Sequence, residues 1–289
     1  RNRLRPPGAK AIGSVSASFA VGKSTFVKDW AQGAYRELLG PACADPRPTW
    51  NPEAGVTADW IPQLYITLRA ASKIRDVLAS LLLTMGYPSE GLVRVTTTRV
   101  IHAFRQHGVR LLIIDDSHFL DVSNKDSRDM LDFLKYLNTE LGELGGTMIL
   151  VGADLHESPL YLDPQINSRL ERLTLGAYPL ATDEDRRTWQ RFLKDAETVL
   201  LPYFDCAPAG IFSRQLAGHI WRRTQGYVGD TALLLTQALL DAFDDGSDTI
   251  TTAHLDGVAL SARAEAGEAE LRKISQPVSR RRRVKAFAS

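Results

Sequence analysis

The sequence lacks several features that would place it in a specialised class of protein. Its two cysteines, Cys43 and Cys206, are too few for a disulfide framework in 289 residues, which favours a reduced, cytoplasmic setting. It has no apolar run long enough to cross a bilayer, so no membrane partner is predicted. Zinc-ligand spacings and internal repeats are also missing. The formal net charge is only +1, so any nucleic-acid surface must be local.

An early segment has the pattern of a loop that holds nucleotide phosphates. In the run ASFAVGKST at residues 17–25, Gly22 allows close approach of the backbone, Lys23 can reach the β- and γ-phosphates, and Ser24 stands where a hydroxyl binds Mg²⁺. A strand-like run precedes the loop and an amphipathic helix follows it. Ala17 replaces the usual first glycine, which makes a turn with positive φ less accessible. An accidental Gly-Lys-Ser in an ordinary loop is the alternative. The predicted nucleotide-binding residues are Ala17, Phe19, Ala20, Val21, Gly22, Lys23, Ser24 and Thr25.

An acidic strand supplies the second half of the predicted site. Residues 109–114 form an almost continuous apolar run, typical of a central parallel strand buried on both faces. Asp115 and Asp116 follow at its carboxyl end, where open α/β sheets bind ligands. We expect Asp115 to hold Mg²⁺ and Asp116 to orient or deprotonate a water molecule. The alternative is an Asp-Asp pair that caps the next helix. His118 is either a sensor of the γ-phosphate or a solvated loop histidine.

The order of predicted elements indicates an α/β domain followed by helices. Strands alternate with helices up to residue 180, which is typical of a doubly wound, mostly parallel sheet. We therefore expect an α/β domain over 1–180, a helical lid over 181–265 and a basic tail over 266–289. The Pro-, Gly- and Ala-rich residues 40–55 are predicted to be a surface loop. The other predicted strands are 60–68, 147–151 and 170–175, and the predicted helices include 74–85, 94–107, 126–144, 183–200, 211–224, 230–243 and 252–264.

Four further motifs follow the phosphate loop in a fixed order. They are LIIDDSH at 112–118, TMILVG at 147–152, NSRLERLTL at 167–175 and GYVGD at 226–230. In order and spacing the set resembles the TniB/TnsC-type AAA+ ATPases of DNA transposition, from about Ile12 to Leu260. The resemblance implies the AAA+ form of the P-loop NTPase fold. Ala17 and Asp116 depart from the family pattern. The family usually has glutamate where this chain has Asp116, so slow hydrolysis is expected.

The resemblance also implies a machine built from several copies of the chain. Such proteins bind ATP between neighbouring subunits, assemble as rings or helical filaments on double-stranded DNA, and direct a partner transposase to target sites. An arginine from the neighbour completes the site; Arg169 falls at that position and Arg172 is the second candidate. Asp154, which follows a predicted strand, is assigned to orienting the attacking water. Alternatively, both arginines are solvated surface cations and Asp154 caps the next turn.

Two segments are candidates for contact with the DNA backbone. Phosphate contacts need cations and hydroxyls on exposed loops or helix starts, and both segments resemble in position those that the family points toward a central duplex. Binding is expected to be independent of base sequence, and a solvated helix face is the alternative. The arginine run at 280–283 could contact DNA, bind the transposase or be disordered. The predicted DNA-binding residues are Lys73, Arg75, Arg94, Thr96, Thr97, Thr98 and Arg99.

Two other functions fit parts of the pattern. The strand that ends in Asp-Asp is common in signalling ATPases of the STAND class, which would make the chain a nucleotide-gated interaction switch, although no sensor repeats are visible. A small-substrate P-loop kinase is disfavoured by the long helical lid and the paired arginines. The sequence therefore predicts an ATP-dependent, DNA-binding regulator of transposition, with the signalling switch as the alternative.

Overall fold

The computed structural model describes residues 6–18, 21–120, 126–203 and 208–275 of the chain. The chain divides into two compact units, Arg1–Gly176 and Ala177–Ser289. Each unit is described by itself.

A five-stranded parallel sheet forms the centre of the first unit. Its strands lie in the order β4-β5-β6-β1-β7, while β2 and β3 form a separate pair. Because β5, β6 and β1 are adjacent and parallel, their carboxyl ends are neighbours at one edge of the sheet. The strands are β1 (Ile12–Ala17), β2 (Thr49–Glu53), β3 (Val56–Asp59), β4 (Gln63–Thr67), β5 (Leu111–Asp115), β6 (Thr147–Ala153) and β7 (Leu170–Leu175).

Helices cover both faces of this sheet. Alternate residues of β5 point to opposite faces, and Leu112 and Ile114 join a core with α2, α3 and α4. Leu111 and Ile113 join the core under α1. The prediction of a parallel sheet with flanking helices is therefore confirmed. The helices of the first unit are α1 (Lys23–Leu39), α2 (Ile74–Thr84), α3 (Val93–His107), α4 (Asp126–Glu143), α5 (Pro159–Leu162) and α6 (Pro164–Asn167).

Residues 40–55 are not the surface loop that the sequence predicts. A short 3-10 turn, Gly40–Ala44, leads into the antiparallel hairpin of β2 and β3. Trp50 anchors the hairpin, because its indole Nε1 donates to the carbonyl of Gln106 at 2.8 Å. Its ring packs so closely on Gly108 (φ 63°) that a Cβ added there would lie 2.9 Å from the ring. The hairpin depends on this contact with the end of α3, which local proline and glycine content does not reveal.

The second unit contains only helices and turns within its described residues. Their buried faces meet in one core that includes Trp189, Phe212 and Leu234. The predicted helix 252–264 is in fact two helices, with extended backbone at Val258 between them. No helix in the described part of the chain is long and apolar enough to cross a membrane. The helices are α7 (Asp183–Leu200), α8 (Ala217–Thr224), α9 (Val228–Asp244), α10 (Thr252–Gly257) and α11 (Ala262–Ser275).

The predicted helix 211–224 is also interrupted. A π-helical turn, Ile211–Gln215, precedes α8. The buried Glu197 of α7 explains this turn, because its Oε1 accepts the backbone N–H groups of Phe212 and Ser213, both at 2.7 Å. Amides at the start of a helical segment need such partners. A carboxylate from another helix satisfies them here, which periodicity within residues 211–224 cannot predict.

A buried ion pair joins α8 to α11. Arg223 and Glu268 are 4% and 3% exposed, and Nη1 lies 2.6 Å from Oε2. Burial alone would raise the pKa of Glu268, but hydrogen bonds and charge from Arg223 and Arg272 lower it below its ordinary value. The ionised pair therefore stabilises this unit at pH values above 4.5, the ordinary pKa of a glutamate. That contribution is lost as the pH falls through the lower pKa of the folded state.

We expect Glu268→Ala to lower the free energy of unfolding by up to about 3–5 kcal/mol, because it removes the buried partner of Arg223 and leaves only the half-exposed Glu265 at 3.3 Å. Glu270→Ala is the matched control: its pair with Lys273 is solvent-exposed, with side chains 65% and 74% accessible, and such pairs contribute about 0–1 kcal/mol. Denaturant unfolding at pH 7 measures both variants. Equal destabilisation by the two substitutions would contradict this account.

Candidate nucleotide-binding site

Gly22 joins the phosphate loop to α1. It forms the N-cap of this helix with a left-handed φ of 86°, a conformation that glycine adopts at little cost. Lys23 is the first residue of the 17-residue helix, so the unpaired N–H groups of the first helical turn lie at the loop. Ser24 is partly exposed and Thr25 is exposed. The loop therefore combines a helix N-terminus, an ammonium group and a hydroxyl, which suits the binding of phosphate.

Ala17 does not occupy a strained position. It is the last residue of β1, where it pairs with Ala153 of β6 and Leu175 of β7, and it is 2% exposed. Since its backbone is extended, the missing glycine imposes no cost at this point. Phe19 and Ala20, two of the predicted nucleotide-binding residues, lie outside the described residues. Val21, which precedes Gly22, is buried.

The two halves of the predicted site lie together. Asp115 is the last residue of β5 and is 2% exposed. Asp116 follows it, and its Oδ1 lies 3.7 Å from the Nζ of Lys23. These two side chains are 27% and 12% accessible, so their charges are partly shielded from water. A cation from the loop and two carboxylates from the strand thus meet at the carboxyl edge of the sheet.

Tyr65 of β4 belongs to this site, and the sequence did not indicate it. Its hydroxyl donates to Oδ2 of Asp115 at 2.5 Å, while the N–H of Asp116 donates to Oδ1 at 2.8 Å. Burial and the hydrogen bond to Asp115 raise the pKa of Tyr65 well above its ordinary value, so the phenol remains a proton donor. The Nζ of Lys28 in α1 lies 5.9 Å from the centre of the ring. The only signal was one polar aromatic residue between two aliphatic residues of β4, Leu64 and Ile66.

Asp116 and Asp154 share an unusual backbone conformation. Their φ angles are 54° and 44°, and each precedes a 3-10 turn, Ser117–Phe119 and Leu155–Glu157 respectively. The N–H of Asp154 donates to the carbonyl of Ala17 at 3.4 Å, which joins β6 to the start of the phosphate loop. Non-glycine residues with positive φ are uncommon, are enriched in Asp and cluster at functional sites. The two predicted catalytic carboxylates therefore lie at the ends of adjacent strands.

His118 lies within the same edge and is only partly exposed. Its Nδ1 accepts the N–H of Ala153 at 3.3 Å, which leaves the proton of the neutral ring on Nε2. Burial is the main cause that lowers its pKa, and Lys23 adds to this, whereas the nearby carboxylates raise it. The net shift is downward from 6.5, so the ring is neutral at pH 7. It is not a fully solvated loop histidine, and its role as a phosphate sensor stays a prediction.

Arg169 and Arg172 differ in their surroundings. The guanidinium of Arg172 lies 4.7 Å from the centre of the Tyr161 ring and donates to Asn167. Tyr161 in turn shares a hydrogen bond of 2.5 Å with the Ser14 hydroxyl. Within the described part of the chain, the side chain of Arg169 makes no ion pair or hydrogen bond. Arg172 is therefore held inside its own unit, whereas Arg169 is available for a partner.

Three of the predicted DNA-binding cations are exposed, and one is engaged within the chain. Lys73, Arg75 and Arg94 are exposed at the starts of α2 and α3. Arg99 is only partly exposed. Its guanidinium donates to the carbonyls of Pro88 and Glu90 at 2.6 and 2.9 Å, so it stabilises the turn between the two helices.

The three predicted threonine contacts are weaker candidates than the sequence suggested. The hydroxyls of Thr96, Thr97 and Thr98 donate to the carbonyls four residues earlier, at 3.0, 2.7 and 3.2 Å. Thr96 is 3% exposed, so its predicted contact with DNA is wrong: a buried hydroxyl cannot reach a phosphate. Thr97 and Thr98 keep accessible side chains. The arginine run at 280–283 lies outside the described residues.

One family model matches part of the chain. The family model of the bacterial TniB protein matches residues 42–179. The resemblance to the TniB-type AAA+ ATPases is confirmed. The match includes Asp115, Asp116, Asp154 and Arg169 but begins after the phosphate loop, so the loop is supported by its own geometry alone. No curated protein matches the chain.

Solved structures show the same fold at low sequence identity. The ORC2 protein of Aeropyrum pernix, solved as ADPNP–ADP complexes, is 16% identical with a TM-score of 0.60, over 93% of the present chain and 65% of the ORC2 chain. Cdc6p from Pyrobaculum aerophilum is 15% identical with a TM-score of 0.60, over 96% and 67%. The structure of Drosophila ORC bound to DNA is 15% identical with a TM-score of 0.55, over 89% of the present chain and 58% of the ORC chain. The chain thus spans 58–67% of the length of these three solved chains. The predicted AAA+ fold, with a helical C-terminal region, is confirmed.

Proposed function

We propose that this TniB-type chain is an ATP-dependent regulator of DNA transposition, which assembles on duplex DNA and directs a partner transposase to target sites. The observation that carries the nucleotide part is the approach of Lys23 to Asp116 at 3.7 Å, next to the buried Asp115. The TniB match over residues 42–179 supports the part in transposition. The proposed reaction is the hydrolysis of ATP.

The residues at the strand ends fit ATP with Mg²⁺. Magnesium keeps several waters and takes one or two protein oxygens beside substrate phosphates, and the Ser24 hydroxyl and Asp115 carboxylate supply such oxygens. Bound magnesium neutralises charge on the transferred phosphoryl group. Lys23 would hold the β- and γ-phosphates together with the N–H groups of residues 17–25. Asp116 would orient the attacking water or accept its proton, with a short side chain that makes turnover slow.

The availability of Arg169 supports a site completed by a second copy of the chain. A guanidinium that acts across a subunit boundary must not be engaged within its own subunit, and this criterion favours Arg169 over Arg172. We propose a homo-oligomer, a ring or a helical filament, in which Arg169 reaches the phosphates bound by its neighbour. Asp154 would help to orient the water. Residues 181–265 would serve as the helical lid and 266–289 as a basic tail.

A backbone hydrogen bond links the segment that carries the proposed DNA contacts to the nucleotide site. The N–H of Ser72 donates to the carbonyl of Phe119 at 3.0 Å, so the residues after Asp116 hold the segment that begins α2. Lys73 directly follows Ser72, Arg75 comes two residues later, and both are exposed. The structure of Drosophila ORC bound to DNA supports a role on DNA for this fold. Binding of ATP would therefore favour a position of this segment that contacts duplex phosphates.

We expect ATP to strengthen duplex binding, and salt to weaken it equally on unrelated DNA sequences. The double variant Lys73→Ala/Arg75→Ala and the single variant Arg94→Ala should each reduce the slope of log affinity against log salt, by about 0.9 for each lost phosphate contact. Fluorescence anisotropy with ATP at several ionic strengths gives these slopes. Arg191→Ala/Lys194→Ala removes two exposed cations of α7 and is the matched control, which should bind like wild type.

Three outcomes would contradict parts of the proposal. If only deletion of residues 280–283 weakens binding, the contacts lie in the tail and not on α2 and α3. If the control variant weakens binding as much as the others, the effect is one of net charge. If wild type with ATP binds no duplex at low salt, the role in transposition fails, and a nucleotide-gated interaction switch is the better account.

A further inference from the structure

The hydrogen bond from Tyr65 to Asp115 joins two adjacent strands at the centre of the proposed site. Strand β4 pairs in parallel with β5, with Tyr65 opposite Ile113 and Thr67 opposite Asp115. The side chain of Tyr65 therefore lies one pleat before Asp115 on the face that α1 covers, where it packs with Val27 and Ile113. From this position its hydroxyl reaches Oδ2 at 2.5 Å.

The carboxylate of Asp115 is held from two sides. Oδ1 accepts the N–H of Asp116 at 2.8 Å and Oδ2 accepts the hydroxyl of Tyr65, so neither oxygen is free to turn. Each carboxylate oxygen has two lone pairs, and one on each oxygen stays available to a metal ion or to its water. With 2% of the residue exposed, bulk water is a poor substitute for either donor.

We propose that Tyr65 is a positioning residue for Mg²⁺: its hydroxyl fixes the orientation of the Asp115 carboxylate toward the phosphate loop. This inference rests on the proposed binding of ATP with Mg²⁺. Groups that hydrogen-bond a ligating carboxylate orient it, and their loss typically costs 10–100-fold in metal affinity or activity. The residue acts through Asp115, without touching the nucleotide.

Tyr65→Phe isolates the hydroxyl, because it keeps the ring, its packing and its contact with Lys28. We expect the Mg²⁺ concentration that gives half-maximal tightening of a fluorescent ATP analogue to rise about tenfold or more. Affinity for the same analogue in excess EDTA should not change. Tyr136→Phe is the matched control, since burial and the neighbouring carboxylate of Glu140 raise the pKa of Tyr136 in α4, but this residue is 45% exposed and lies outside the site. Its Mg²⁺ midpoint should equal that of wild type.

The outcomes separate this inference from the function on which it rests. An unchanged Mg²⁺ midpoint in Tyr65→Phe, in a protein with wild-type circular dichroism, overturns the role of Tyr65 alone. An equal loss of affinity with and without Mg²⁺ also overturns it, because the defect would then lie in the pocket as a whole. If wild type itself shows no Mg²⁺-dependent nucleotide binding, the proposed function fails and this inference fails with it.

Discussion

Arg169→Ala should lower ATP turnover by about 10³-fold or more, because an arginine finger contributes about 10³–10⁵ to kcat. Nucleotide binding and the fold should be preserved. The side chain of Arg169 makes no ion pair or hydrogen bond within the described residues, so its removal breaks no visible contact. Steady-state ATPase assays with DNA, together with binding of a fluorescent ATP analogue, measure both quantities. Arg172→Ala should change turnover much less, since its guanidinium is engaged with Tyr161 and Asn167.

A mixture of Arg169→Ala with Lys23→Ala tests whether the arginine acts across the subunit boundary. Lys23→Ala removes the ammonium that would meet the phosphates and should be inactive by itself. In head-to-tail assemblies one face of each copy meets the other face of the next, so about a quarter of the interfaces in an equal, random mixture combine an intact lysine with an intact arginine. Partial activity should return. If mixed assembly is confirmed and no activity returns, Arg169 acts within its own subunit or has no catalytic role.

Asp116→Asn should lower turnover by about 10²–10⁴-fold, the range expected for loss of a general base. Binding of ATP should stay at least as tight, because the substitution removes the carboxylate that lies 3.7 Å from Lys23 and competes with phosphate for it. Asparagine also tolerates the positive φ of this residue, so the turn should be kept. Single-turnover hydrolysis and equilibrium binding of ATP separate the two effects.

Asp115→Asn is the comparison for this variant. It changes the proposed metal ligand, so Mg²⁺-dependent tightening of ATP binding should weaken, a loss that Asp116→Asn should not show. Wild-type turnover in Asp116→Asn would mean that Asp116 only shapes the turn before Ser117. A loss of Mg²⁺-dependent binding in Asp116→Asn would instead assign the metal to Asp116.

The features that the sequence predicted correctly are those with local signals. The run from Leu111 to Asp115 is apolar at every position before the acid, which is typical of a parallel strand buried on both faces. The phosphate loop stays a prediction as a binding site, and its signal is also local, since Gly22, Lys23 and Ser24 are consecutive. The order of strands then brings the loop and the acids to one edge, because the carboxyl ends of parallel strands share it.

The features that the sequence missed are contacts between distant residues. Tyr65 and Asp115 are separated by 50 positions, and their hydrogen bond depends on the register of two strands. Trp50 finds its acceptor at Gln106, and Glu197 caps a turn on another helix. Thr96 was misassigned because the helical spacing of α3 does not show which hydroxyl faces the core. Each error concerns tertiary packing, which overrides local composition.

The left-handed backbone at Asp116 limits which side chains natural variation can place there. A β-carbon in this region costs about 1–2 kcal/mol, which glycine avoids. In the described part of the chain, the Asp116 side chain makes no hydrogen bond to the 3-10 turn that follows it, but Asp and Asn are several-fold enriched among residues with positive φ. Glutamate, which the family that the sequence resembles usually carries, does not share this enrichment. A drift from aspartate to glutamate is therefore opposed by the turn itself, even where a longer acid would hydrolyse ATP faster. Close relatives that keep this turn should carry Asp, Asn or Gly at the position, and glutamate should appear only where residues 117–119 have changed as well.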